Sequence, residues 1–337
     1  MRISSVVFLA GLTIASGPAN TQEALTPLEV SLGDVSLNKV PFLVAADEGI
    51  YVKHGLAVHQ YITPYAADKA FHQGLNVPPE FVKDDSADDA HIAVGGGTPM
   101  IVRMTRDVRA TDRVIIATFE NRVRNHIVSS WEIDSPEDLR GKRLGYSNDG
   151  AVTHLAAISF ARLMGWDPHR DISLFGHGNT PSAITSGKID AFVGSILVRS
   201  LAAQANLKDL VDLSQYEIAV AGSGLNAERG WLAENRDTAR RFVMASIEAV
   251  ALIKTDQAAF ARAMDKWFNI TDPAIVESMH AEVAGIAQKP YPAVDGIRNT
   301  MAVYDYREMQ QHRPEDFYDA SFVTELDESG FIDRLYE

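Results

Sequence analysis

Apolar and polar positions along this chain switch between two periods, and the switch is clearest from Asp138 to Met164. Residues 138–142 form a polar turn, 143–147 read as a short strand, Asn148-Asp149-Gly150 breaks it, and 151–164 continue as a helix. Val152, Leu155, Ala156, Phe160 and Leu163 share one helix face, and Gly165 is a natural left-handed stop. Asn148 or Asp149 is the expected N-cap. A helix start exposes N–H groups and a partial positive charge, so it can hold an anion or a polar oxygen without a basic side chain. An ordinary strand-to-helix connection accounts for the same spacing.

The alternation extends in both directions. Residues 28–33 predict a strand, Pro41 opens a helix to Glu48, and 57–62 form a second strand, an opening that points to parallel pairing. Residues 63–89 predict a helix and an acidic, proline-containing surface loop. A third strand at 91–94 runs into Gly95-Gly96-Gly97-Thr98-Pro99, where backbone can approach a ligand or simply turn tightly. Residues 114–118 predict a buried strand, and 171–175 and 189–195 two further strands, the last ending at Gly194-Ser195. Residues 218–221 predict the strand that returns the chain to its first half. From Trp231 nearly to Phe268 the period is helical, another helix opens at Asp272-Pro273, and 317–336 predict a terminal helix and turn.

Composition narrows the reading. The 337 residues, 46% hydrophobic and 23% charged, are enough for one large or two ordinary domains with real cores. Residues 1–19 read as a secretory signal peptide with cleavage after Ala19, and no later run is long enough to span a bilayer. The expected site is therefore the periplasm. The absence of cysteine excludes disulfides, thiolate metal sites, a thiol nucleophile and a lipid anchor on cysteine. A net charge of −14 argues against nucleic acid or an anionic membrane as partner, but permits an anionic ligand held locally by backbone amides.

Catalytic and metal signatures are missing. There is no His-Glu-x-x-His, no phosphate loop, no full dinucleotide fingerprint and no Gly-x-Ser-x-Gly elbow. No cofactor and no metal is expected. The acidic loop at Asp84, Asp85, Asp88 and Asp89 is a solvated surface before it is a calcium site. Arg122 and Arg124 are candidates to pair with an anion, and Phe119, Trp131 and Tyr146 to line a pocket, against surface and core roles for the same residues. His154 and His177 fall near the expected strand ends, where a hydrogen-bonded role is the commoner one.

Several segments together resemble the type II periplasmic substrate-binding proteins of ABC importers, in the branch for sulfonates, taurine, nitrate and thiamine precursors. They are Asn38 with Pro41-Phe42-Leu43-Val44-Ala45, Glu48-Gly49-Ile50-Tyr51, Gly55-Leu56-Ala57-Val58, Asp138-Leu139-Arg140-Gly141-Lys142-Arg143, Ser186-Gly187-Lys188-Ile189-Asp190-Ala191, and the close from Asp316-Phe317-Tyr318-Asp319 to Gly330-Phe331-Ile332-Asp333. The resemblance implies an α/β fold of two lobes, each a mixed sheet flanked by helices, joined by two hinge crossings. Lobe 1 would take 20–123 and 222–337, and lobe 2 would take 124–221.

It also implies ligand contacts from four loops: Ser36 and Asn38; Gly96, Gly97 and Thr98; Asn148, Asp149, Gly150, Ala151, Val152 and Thr153; and Ser195. Its implied function is capture of a small organic or anionic solute and delivery to ABC permease subunits by a monomeric, non-catalytic protein. Thiamine-pyrimidine synthases of this kinship use a cysteine-rich motif that this chain lacks. An enzyme on the same fold, such as an aromatic-acid decarboxylase using His154, His177 or Asp149, is the alternative.

Overall fold

The computed structural model describes residues 24–337 except 73, 74, 76, 85–89, 108, 109, 196–204 and 284. The leader expected at 1–19 and most of the acidic loop lie outside the described residues. Two five-stranded sheets organise the rest. The first contains β1 (Thr26–Ser31), β2 (Leu56–Tyr61), β3 (Ile92–Gly96), β4 (Arg113–Thr118) and β10 (Ser223–Glu228), in the order β2-β1-β3-β10-β4. The second contains β5 (His126–Ser129), β6 (Arg143–Gly145), β7 (Ser173–Phe175), β8 (Ala191–Gly194) and β9 (Lys208–Asp212), in the order β7-β6-β8-β5-β9.

Each sheet is mixed in the same way. β1 pairs in parallel with β2 and β3, and β6 with β7 and β8. One antiparallel strand, β10 or β5, is then inserted next to the outermost strand. All six residues of β4 are buried, which suits its apolar centre, Val114 to Ala117. Its one basic residue, Arg113, is satisfied internally: Nε donates to Asn226 Oδ1 at 2.7 Å and Nη1 to the Ala90 carbonyl at 2.8 Å.

The predicted return strand at 218–221 takes a different role. The chain re-enters the first sheet only at Ser223, and 218–222 instead pairs with the outgoing crossing. Val123 N donates to Ile218 O at 2.9 Å, Val220 N to Asn121 O at 3.2 Å and Gly222 N to Glu120 O at 2.9 Å. The two crossings thus form a narrow ribbon between the lobes.

The long helical stretch is broken into α7 (Arg229–Glu234), α8 (Arg236–Thr255) and α9 (Gln257–Phe268). Asp256 makes the second break, because its carboxylate caps α9 by accepting from Ala258 N and Ala259 N. The end is likewise two helices, α12 (Ser321–Glu328) and α13 (Phe331–Arg334). The N-cap of α5 (Val152–Leu163) is Ala151, without a side-chain cap, so neither Asn148 nor Asp149 fills that place. Leu163, expected on the apolar face, is exposed.

A large apolar core packs the first sheet against α1 (Val40–Asp47), α8 and α9, with Phe42, Val243 and Val250 fully buried. A second core joins the lobes, since it takes residues from α4 (Gly97–Arg106), α5, β5 and α11 (Val294–Val303). α11 is pressed onto the return crossing at Gly296, where a Cβ would lie 2.0 Å from the Val220 carbonyl carbon and 2.2 Å from Ala221 N. Backbone cannot yield as a flexible side chain can. Gly296→Ala is expected to lower stability by about 1–3 kcal/mol, read from the urea midpoint, as overpacking in a closed site does. An unchanged midpoint would mean that the ribbon and α11 separate readily.

Candidate functional site

The parallel strands of both sheets end around one cavity of about 530 Å³. Ligand sites of open α/β sheets lie at such carboxyl ends. The loop after β1 contributes Asp34, Ser36, Asn38 and Lys39, and β3 contributes Gly96. From the second lobe come Asn148, Asp149, Ala151, Val152, Thr153 and Ser195. The crossings supply Glu120, Arg122 and Arg124, and β10 supplies Ser223.

Three expected contact residues are not on this lining. Thr98 is wholly buried and its hydroxyl bonds Thr300 Oγ1 at 2.9 Å, while its amide donates to Ala221 O at 2.9 Å. Gly97 N donates to Gly222 O, and its Cα faces Ile115 and Ala221 so closely that a Cβ would lie 2.4 Å from Ile115 Cδ1. The close backbone approach that the glycines permit is therefore to the return crossing. Gly150, with φ 79°, abuts Val102 and donates its amide to His154 Nδ1 at 3.2 Å.

The helix start at α5 is also less open than its sequence suggests. Ala151 N donates to Asn148 O, and the Thr153 hydroxyl bonds Ser147 Oγ at 2.7 Å and accepts from Ser147 N. Of the backbone amides at 150–153, those of Gly150 and Ala151 thus already have acceptors. Phe119 and Tyr146 are buried off the lining, and Trp131 is exposed, its indole N–H donating to Asn206 O. The aromatic residues that do line the cavity are Tyr65 and Phe260.

Both candidate arginines reach the cavity but are tethered. Arg124 donates to the Glu282 carbonyl and, at 3.3 Å, to Glu120 Oε1; Arg122 donates to Glu217 Oε2 at 3.3 Å and to Asn121 O at 2.9 Å. Lys39 is the cation that the pattern did not single out. It is 4% exposed, and its Nζ donates to Val94 O at 2.9 Å. Burial holds its pKa below the ordinary lysine range, against the opposing pull of Asp34 and Glu120. Its position just before the wholly apolar opening of α1 was the available signal, since a residue entering such a helix faces inward.

His154 and His177 are not among the lining residues. The His154 ring stacks on Tyr146, with centroids 4.1 Å apart and planes 11° from parallel. Its Nδ1 accepts from Gly150 N, so the Tyr304 hydroxyl, 3.2 Å away, must donate to the same nitrogen. Tyr146 in turn donates to Asp149 Oδ1. Burial lowers the pKa of His154, partly opposed by Asp149 and reinforced by Arg106 and His169. Below about pH 6.5 the unfolded chain therefore binds the proton more readily, and stability falls as pH drops toward the lowered folded value. His154→Phe should be less stable than wild type at pH 7.5 yet lose less between pH 7.5 and 5, by urea denaturation. An equal loss in both proteins would remove His154 from the acid response.

Comparison with known proteins places this geometry. Residues 36–259 match the family model described as NMT1/THI5 like. No curated protein matches the chain in sequence. The periplasmic aliphatic sulphonate binding protein SsuA from Escherichia coli superposes with a TM-score of 0.61 at 15% identity, over 87% of this chain and 99% of that one. The periplasmic nitrate-binding protein NrtA from Synechocystis PCC 6803 gives 0.67 at 11% identity, over 90% and 89%. The desulfurization enzyme DSZB gives 0.60 at 12% identity, over 90% and 99%. On the match over 36–259 and the two-lobed architecture, the chain belongs to the NMT1/THI5-like family and has the type II periplasmic-binding-protein fold.

Proposed function

We propose that the protein is an extracytoplasmic solute-binding protein, which captures a small organic or anionic solute between its lobes and delivers it to an ABC permease. The observation that carries this reading is the cavity of about 530 Å³, lined from both lobes and from the hinge ribbon. A ligand touching both lobes stabilises the closed arrangement by its differential affinity for it. SsuA and NrtA, with the same fold, are named for binding a sulphonate and nitrate. Among the described residues no helix is long and apolar enough to cross a membrane, in keeping with a protein that meets its permease from outside. Export through the leader at 1–19 and action as a monomer belong to the same proposal.

DSZB keeps an enzymatic reading on this fold in view. The histidines that such chemistry would use stand off the lining, and Asp149 already accepts from Tyr146. Delivery is therefore the better account.

The deciding experiment equilibrates purified protein with an extract of small molecules, washes it, and identifies what is released by mass spectrometry. An unchanged solute in stoichiometric amount is expected, whereas a converted product would overturn delivery. For that solute, Ser195→Ala should weaken binding by about 1–3 kcal/mol, the cost of an abandoned hydrogen bond in a dry site. Thr98→Ala, whose hydroxyl faces Thr300, should leave the affinity within a few-fold when measured by calorimetry.

A further inference from the structure

The cavity is unevenly furnished. Its carboxylates are Asp34, Glu120, Asp149 and Glu282, and each has a partner within the protein. Asp34 accepts from the Ser36 hydroxyl at 2.7 Å, and Glu120 accepts from Arg124 and from Ser223 N at 3.3 Å each. Asp149 accepts from Tyr146, and Glu282 lies 3.9 Å from the Arg124 guanidinium. With Arg122 also tethered to Glu217, the charges of the crossings are largely spent on one another.

Two lining groups differ. The Lys39 ammonium carries three N–H donors, and among the described residues only the Val94 carbonyl receives one. Ser223 is 3% exposed, and its hydroxyl oxygen has no hydrogen-bond partner among the described residues. A buried donor left unpaired costs free energy that a ligand acceptor can recover. Lys39 and Ser223 both belong to the first lobe, at the ends of β1 and β3 and the start of β10. Another wall of the same cavity is apolar, made by Ala66, Ala70, Phe260, Met279, Val283 and Ile286. A bare inorganic anion would fill little of about 530 Å³ and leave that wall unused.

We propose that Lys39 and Ser223 form the acid-binding subsite of the cleft, and that the ligand is an organic acid whose apolar body lies against Phe260, Met279, Val283 and Ile286. This rests on the binding reading and sharpens it, for it moves the acid from the α5 helix start to the floor of the first lobe. An amine of the same length is disfavoured, because it would place a second cation beside Lys39. A free inorganic anion is disfavoured by the unfilled wall.

Calorimetry on the full chain tests the assignment with hexane-1-sulfonate, its ethane, butane and octane homologues, hexan-1-ol, hexylammonium and nitrate. Hexane-1-sulfonate should bind at least tenfold more tightly than hexan-1-ol, hexylammonium or nitrate. Affinity should rise roughly fourfold per methylene along the series until the wall is filled. Lys39→Met should lower hexane-1-sulfonate affinity at least tenfold, with hexan-1-ol unchanged and a melting temperature equal to or above wild type, since a buried charge is removed. Ser223→Ala should lower it several-fold.

Equal sulfonate affinity in Lys39→Met, or a preference for hexylammonium or nitrate, would overturn the subsite. If Lys39→Met does not fold, the affinity of Ser223→Ala and the wild-type homologue series decide the assignment in its place. Failure of every acid probe also overturns the subsite. Capture of a neutral or cationic solute from the extract would then leave solute binding standing, so the two failures are separable.

Discussion

Everything in this molecule turns on five residues, 218–222, held from three sides at once. The outgoing crossing bonds them through Val123, Asn121 and Glu120. The start of α4 bonds them through the amides of Gly97 and Thr98, and α11 bears on them at Gly296 and through Asn299 Nδ2, which donates to Ala219 O at 2.7 Å. Because each contact uses backbone, the register of the ribbon is fixed by atoms present in every residue, and only glycine or a small side chain fits between them. The cavity lies beside this ribbon, so hinge geometry and cavity shape are set by the same bonds.

The sequence makes the layered architecture readable because its signals are local. Fully apolar 114–118, the strand-turn-helix at 138–164 and the strand-helix-strand opening each declare themselves within a few residues. What cannot be read locally is what a glycine makes room for. Gly95-Gly96-Gly97 marks close backbone approach correctly, yet at Gly97 the approaching group is the protein's own return crossing. Residues 218–221 look like a strand because they are apolar and extended, and they do hydrogen-bond laterally, but to a crossing and not to a sheet.

The lining of the candidate cavity was legible to a similar degree. Nine of the expected contact residues, among them Ser36, Asn38, Asn148 and Ser195, do line one cavity, because strand ends of a parallel sheet converge whatever their side chains. Lys39, Glu120 and Ser223 were not singled out. For Lys39 the apolar opening of α1 signals an inward-facing residue, but the acceptor that its head reaches, Val94 O, lies on a strand 55 residues away and is not visible locally. Helix starts misled in the opposite direction, because the side chain of His154 and the carbonyl of Asn148 compete for amides that periodicity leaves open.

The strand order of the first sheet has a temporal consequence. β4 touches that sheet only through β10, although the whole second sheet lies between them in the chain. During synthesis from the N-terminus, the second sheet has all five of its strands before the first has its fifth, and buried β4 waits without a strand to pair with until residue 228 is available. For the export proposed above, this order leaves the first sheet incomplete until the chain has been made as far as β10.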